Sequence, residues 1–342
     1  MLRKKLASNR LGFGGAPLGN MFRAVPDDEA HRTVQVAWEA GVRFFDTAPI
    51  YGAGLSERRL GDALAGRPRE DYVLATKVGR VVTAEIRDAD LPPDAIFAHG
   101  LPQVVVDDYS ADATLRSIED SLRRLRTDRL DVVFVHDVAL NVYGDAWIDR
   151  LAECRRGAFP VLDRLRDEGV IDAWGMAVNR TEAVEVTLDL EEVRPNAFLL
   201  AGSYTLLDHR RALERLLEQA EEQAVEMVVG GPYSSGALVG GPNFDYRPIT
   251  AEVRDRIALV GRVAAAYDVS IKAVALQFCL APITSAAVIP GATRPERVVE
   301  DAAALAEVVP EQLWHELRER GLIAANAPTP EVSHPFPVTA PR

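Results

Sequence analysis

Four ionisable side chains stand at the ends of apolar runs: Asp46, Tyr51, Lys77 and His136. Asp46 closes the run Arg43-Phe44-Phe45, and Tyr51 follows five residues later on a proline-containing turn. Lys77 follows the run 72–76, and His136 follows the run 131–135. A phenol titrates near ~10 in water, so alone it is a poor proton donor or acceptor at neutral pH. A neighbouring ammonium stabilises the phenolate and lowers that value, while a carboxylate keeps the ammonium charged and oriented. A histidine beside them would hydrogen-bond the oxygen of a carbonyl or alcohol. No nucleophile and no metal-ligand spacing accompany the four. The set therefore suits a site where a cofactor moves a hydride and the protein moves a proton. Singly, each residue has an ordinary structural role, as a helix cap, a solvated cation, a structural histidine or a packed ring. The joint reading needs a fold that brings them together.

Apolar, β-branched or aromatic runs alternate with longer amphipathic segments along the chain. Strands are expected at 10–15, 42–46, 72–76, 131–135, 171–178, 197–200, 225–229 and 286–289, with helical segments following them. In the helix after Ser110, Leu115, Ile118, Leu122 and Leu125 recur at three- and four-residue intervals on one face. Eight strand–helix units imply a parallel sheet closed into a (β/α)8 TIM barrel, one α/β domain over residues 1–342, with an extended or disordered tail at 325–342. A doubly wound open sheet would carry a dinucleotide fingerprint after the first strand. Pro17 stands where its third glycine should fall, which removes that option. Long connections follow the third, fourth and seventh strands, and 79–109 shows no sustained period. All three leave the carboxyl-terminal rim, where such barrels place their sites, and Asp46, Lys77 and His136 end on the same rim.

The 342 residues carry a net charge of −12 and a pI near 5.1, which argues against nucleic acid or anionic membrane as partner and leaves a small-molecule substrate. Cys154 and Cys279 lack metal-ligand spacing and read as buried thiols of a reducing compartment. The basic segment 1–10 has no apolar core of a signal peptide behind it, and no run reaches membrane-span length. The expected compartment is the cytoplasm. Oligomeric state has no signature in the sequence.

FFDTAPIYG with GLSERRLGDAL, then LATKVG, then LDVVFVHD, resemble the signatures of the aldo-keto reductases, over about Leu11 to Asp301. That family is an eight-stranded barrel that uses a nicotinamide dinucleotide without a Rossmann domain. The resemblance implies a catalytic tetrad of Asp46, Tyr51, Lys77 and His136. The stretches 107–137, 169–180 and 197–208 are most similar to aldose 1-dehydrogenases acting on L-fucose-type sugars and to pyridoxal 4-dehydrogenases. An NAD(P)-dependent oxidation of an aldose at C1 to the lactone is the leading expectation. An NADPH-dependent aldehyde or ketone reductase is the rival, and a cofactor-binding regulatory subunit with little turnover is the third.

Two loops suit phosphate binding on physical grounds. Tyr233, Ser234, Ser235, Gly236, Ala237 and Leu238 offer hydroxyls and small residues. Gly291, Ala292, Thr293 and Arg294 precede a helix at Pro295, whose amino terminus favours an anion. The resemblance assigns both loops to the cofactor, with Arg297 near its adenosine end. It also implies Asn179 as the ligand of the nicotinamide amide, with Ala201 at a position where relatives carry glutamine, and Tyr233 against the nicotinamide ring. NADPH-preferring relatives carry Lys-Ser where this chain has Gly291-Ala292, so NAD is favoured over NADP. Substrate specificity is expected in 82–108, 138–156 and 232–248, with Phe97, Tyr143, Trp147 and Phe244 as candidate pocket aromatics.

Overall fold

The computed structural model describes residues 1–92 and 95–330. Eight parallel strands form one sheet: β1 (Phe13–Gly14), β2 (Phe44–Asp46), β3 (Val73–Val78), β4 (Val132–His136), β5 (Ala173–Val178), β6 (Ala197–Ala201), β7 (Glu226–Gly230) and β8 (Ser285–Ile289). The sheet closes on itself between β8 and β1. Parallel bridges join Leu11 to Val288 and Gly14 to Gly291, and the Gly12 N–H donates to the Val288 carbonyl at 2.8 Å. The fold is the expected TIM barrel.

Strands buried on both faces need side chains for two cores, and the two-residue period supplies them. One set points into the barrel: Phe44, Val73, Ala75, Val132, Phe134, Ala173, Ala177, Ala197, Leu199 and Val228 form a buried inner cluster. The alternate set, including Phe45, Leu74, Val133, Val135, Trp174 and Phe198, packs under the surrounding helices. Extending the inner set two residues toward the carboxyl ends gives Asp46, Lys77, His136, Asn179 and Ala201. The same alternation that fills the barrel thus projects these five side chains into its upper mouth.

Several local expectations need correction. The segment 79–109 is not irregular throughout: Arg80–Ile86 and Gln103–Asp107 form an antiparallel hairpin, with Arg80 opposite Asp107. Its strands are half-exposed and their register shifts between Val82 and Ile86, so no clean alternation marks them. The connection after β4 contains two helices, Leu140–Tyr143 and Trp147–Arg156. The helical segment that follows β6 is split into Arg210–Glu214 and Leu216–Glu222 at Arg215, where the backbone takes φ −151° and ψ −48°. A short helix at Leu2–Lys5, absent from the sequence reading, puts Leu2 and Leu6 into the inner cluster as a plug. Residues 325–330 have no regular structure but are tied down, since Arg318 donates to the Ala327 carbonyl and the Thr329 hydroxyl. The rest of the expected tail lies outside the described residues.

Both cysteines are buried and unbridged, and Cys279 donates its thiol to the Tyr204 carbonyl at 3.3 Å. Among the described residues no cluster of metal-ligating side chains forms, and no single helix is long and apolar enough to cross a membrane.

Candidate active site

A cavity of about 700 Å³ opens at the carboxyl ends of the strands, with Tyr51, Lys77, His136, Asp137 and Asn179 on its wall. The Lys77 ammonium spends its three donors on Asp46 Oδ1 at 2.9 Å, Asp46 Oδ2 at 2.7 Å and the Thr47 carbonyl at 2.8 Å. Both side chains are almost fully buried. A lone charge there would be costly, and each partner removes that cost for the other. Burial raises the Asp46 pKa and Lys77 opposes the shift. Lys77 Nζ lies 4.7 Å from the centroid of the Tyr51 ring. The His136 ring meets that ring edge-on, with centroids 5.7 Å apart. Asp46, Tyr51, Lys77 and His136 therefore do converge.

The loop carrying Tyr51 is held by close backbone approach. A Cβ on Gly19 would come within 2.4 Å of the Tyr51 carbonyl carbon, and one on Gly52, at φ +66°, within 2.4 Å of the Gly19 carbonyl oxygen. The Ser56 hydroxyl donates to the Gly15 carbonyl and shares a 2.8 Å hydrogen bond with Thr47. Glu57, fully buried on the helix Leu55–Leu64, accepts from Thr76 at 2.7 Å and from Arg124 at 2.6 Å. The GLSERRLGDAL stretch thus braces β2 and β3 from outside the barrel.

The electrostatics differ from the expectation drawn from residue types. The Tyr51 hydroxyl is pushed well above its ordinary pKa, by burial first and then by Asp46, Tyr246 and Asp137. The ammonium of Lys77 does not reverse this, because Asp46 already neutralises it. His136 is driven well below its ordinary value by burial, Lys77 and Arg80, so the imidazole is neutral at pH 7. Its Nδ1 has no hydrogen-bond partner among the described residues. Tyr109 donates from its hydroxyl to the His136 carbonyl at 2.7 Å and fixes that end of β4.

Of the residues expected to hold a cofactor, Asn179 lines the cavity and donates to the Ala201 carbonyl at 3.1 Å. Beside it, Gly202 (φ +80°) and Gly231 (φ +59°) leave the carboxyl ends of β6 and β7 free of side chains. A Cβ on Gly230 would come within 3.1 Å of Ala201 Cβ, so this floor is bare because glycines and one alanine build it. Such a floor beside the Asn179 amide, whose Nδ2 also donates to the Tyr246 hydroxyl at 3.4 Å, fits a flat carboxamide ring. Tyr233 does not face it. Its ring is buried outside the cavity wall, its hydroxyl bonded to Asp301 at 2.7 Å with Lys272 5.4 Å from its centroid. Ser234 is buried against Thr205, and Ser235 Oγ accepts from the Tyr246 N–H. The N–H groups of Gly236 and Leu238 both donate to the Tyr233 carbonyl, so this loop uses much of its polarity on its own turns.

Gly291 sits against Pro17, whose Cγ would lie 2.9 Å from an added Cβ, and Ala292 is buried. Thr293 and the exposed Arg294 lead into the helix Pro295–Ala306, and Arg297 Nη1 reaches Thr293 Oγ1 at 3.5 Å. Of the four candidate aromatics only Phe97 lines the cavity, 5.6 Å from Tyr51 between centroids; Tyr143, Trp147 and Phe244 do not. The sequence reading missed Arg80, Asp137 and Tyr246. Only Asp137, following His136 directly at a strand end, carried a visible signal.

The aldo/keto reductase family model matches residues 10–320. The chain belongs to that family. This aldo/keto reductase is 34% identical to a D-threo-aldose 1-dehydrogenase of Pseudomonas sp, over 95% of the chain and 96% of the relative. It is also 34% identical to a pyridoxal 4-dehydrogenase of Microbacterium luteolum, over 94% and 96% respectively. Among solved structures it resembles the aldo-keto reductase AKR11C1 from Bacillus halodurans in its holo form, at 27% identity, 93% coverage of both chains and a TM-score of 0.70. The protein is an oxidoreductase, and enzymes of this family use nicotinamide cofactors.

Proposed function

We propose that this aldo/keto reductase oxidises an aldose at C1 to the lactone with NAD. The observation that carries the reading is the cavity: Asp137, Asn141, Asn179 and Arg180 line it together with Tyr51, and a polyol needs that many polar partners. The aldose- and pyridoxal-oxidising relatives support it. Tyr51 takes the proton of the anomeric hydroxyl, His136 positions the oxygen that becomes the carbonyl, and Asp46 holds Lys77 beneath the ring. A nicotinamide held beside Asn179 would accept the C1 hydride. Loss of that hydride and one proton converts the hemiacetal to a lactone.

Asn179 and the bare floor at Ala201 would hold the carboxamide ring. The loop 232–241, with Ser234, Ser235, Gly236 and Leu238, and the loop Gly291, Ala292, Thr293 with Arg297, would hold the phosphates and adenosine. The NAD preference rests on Gly291 and Ala292. Neither offers a side-chain donor to a 2′-phosphate, and Pro17 crowds the space a longer side chain at 291 would need.

One observation favours reduction as a second reading. A phenol held well above its ordinary pKa keeps its proton at pH 7 and is a ready donor to a carbonyl. A screen of nicotinamide reduction over aldoses, pyridoxal and simple alcohols, with NAD and NADP, tests the proposal. Turnover of aldoses with NAD is expected. A strong NADPH preference with aldehydes and none with aldoses replaces it by the reductive reading.

A further inference from the structure

Among the described residues Asp137 is the carboxylate of the cavity wall beside the imidazole, and its surroundings leave it short of partners. His136 Nε2 lies 3.6 Å from Asp137 Oδ1, and Arg80 Nη1 lies 3.8 Å from Oδ2. Both exceed a hydrogen bond, and among the described residues no donor comes within hydrogen-bonding distance of this carboxylate. Arg80 instead forms an ion pair with Asp107, Nε to Oδ1 2.9 Å, and gives an Nη1 hydrogen to the Tyr143 hydroxyl at 3.2 Å. A largely buried carboxylate ordinarily finds donors in the protein or in what binds it.

The backbone aims it. Asp137 takes φ +59°, a left-handed conformation unusual for a residue with a side chain, and its N–H donates to the Ala177 carbonyl at 2.9 Å. Aspartate tolerates this conformation, which turns the chain as it leaves β4. The reacting oxygen belongs where Tyr51 and His136 meet. The carboxylate lies in the same cavity beside the imidazole, so a substituent on the next carbon is the part of a substrate it would meet.

We propose that Asp137 accepts a hydrogen bond from the hydroxyl next to the reacting carbon, so that the enzyme selects 2-hydroxy substrates over simple alcohols and aldehydes. The inference rests on the aldose reading but makes a narrower claim, that one carboxylate reads one hydroxyl. Asp137 is a specificity residue; the proton and hydride pass elsewhere.

The test compares wild type with Asp137→Asn on three substrates: an aldose from the screen, its 2-deoxy counterpart, and benzyl alcohol. Asparagine keeps the size and tolerates the left-handed backbone. Thermal melting and NADH fluorescence establish that the variant folds and binds cofactor. Wild type is expected to favour the aldose over the 2-deoxy sugar in kcat/KM by about 10- to 100-fold, the worth of a hydrogen bond to a charged group. In the variant that preference is expected to shrink to about threefold, consistent with a neutral partner. A variant that keeps the full preference overturns the proposal. Equal losses on all three substrates with a displaced pH profile also overturn it, because Asp137 then acts through His136. If wild type oxidises no aldose, the aldose reading fails separately. The same comparison then runs in reduction, with lactaldehyde against propionaldehyde.

Discussion

Tyr51 concentrates the chemistry of the site into one hydroxyl, and its environment sets the direction of the pH response. Burial, Asp46, Tyr246 and Asp137 all raise its pKa. Oxidation needs the phenolate and reduction the phenol, so kcat/KM for oxidation should still be climbing above pH 8 while reduction stays flat. An oxidative profile that levels off below pH 7 would remove Tyr51 as the titrating group. Tyr51→Phe should cost about 10²–10⁴-fold in kcat, the usual worth of a positioned acid or base. NADH affinity should stay within about twofold of wild type, since the lost hydroxyl serves the proton rather than the dinucleotide. Lys77 and Asp46 make a different case, because each partner neutralises the other. Lys77→Met strands a buried carboxylate and should destabilise by about 3–5 kcal/mol. Adding Asp46→Asn should restore much of that stability but no turnover, which a thermal melt and an activity assay on the double variant decide.

At the scale of elements, the loop that carries Tyr51 depends on two backbones touching. Gly19→Ala places a methyl 2.4 Å from the Tyr51 carbonyl carbon, and neither neighbour can yield without moving that loop. Activity should fall by at least about tenfold, since small misplacements of positioning groups cost that much. Unchanged kinetics in a folded Gly19→Ala protein would show that the loop has more slack than the contact implies. The strands were legible in the sequence because apolar runs such as Val132–Val135 admit few other readings, and counting them placed the tetrad on one rim. The hairpin Arg80–Ile86 with Gln103–Asp107 was not legible, since its stability comes from partners such as Asp107 that lie far along the chain. Tyr233 misled for a related reason. Its neighbours in sequence suggest a ligand loop, whereas its hydroxyl is claimed by Asp301, 68 residues away. The shift on Tyr51 was equally hidden, because residue types suggest that Asp46 pairs with Lys77 but not that Asp46 and the Thr47 carbonyl together take all three ammonium donors.

For the whole molecule, His209 ties distant parts together. Its Nδ1 pairs with the Thr205 carbonyl at 2.9 Å, and its Nε2 accepts from the Ala324 N–H at 3.0 Å, fastening the last described segment to the loop after β6. Burial lowers its pKa to about 4, against 6.5 when unfolded. The unfolded chain therefore binds the extra proton first as pH falls. Stability from this group is full above about pH 6.5 and drains away down to about pH 4, on the order of 3 kcal/mol in all. Melting temperatures from pH 7 to 4.5 should drop more steeply for wild type than for His209→Gln. Parallel slopes would clear His209 of that role.

The seam of the barrel is equally long-range. β1 has only two residues, and it meets β8 through bridges such as Leu11 to Val288, joining segments 277 positions apart. During synthesis the first strand therefore leaves the ribosome long before its neighbour is translated, and until then it presents an unpaired edge. Slower growth at low temperature, or chaperone co-expression, should raise soluble yield more for this enzyme than truncating its surface loops. A ribosome stalled before residue 285 should hold a chain with all four tetrad residues translated and the barrel around them still open.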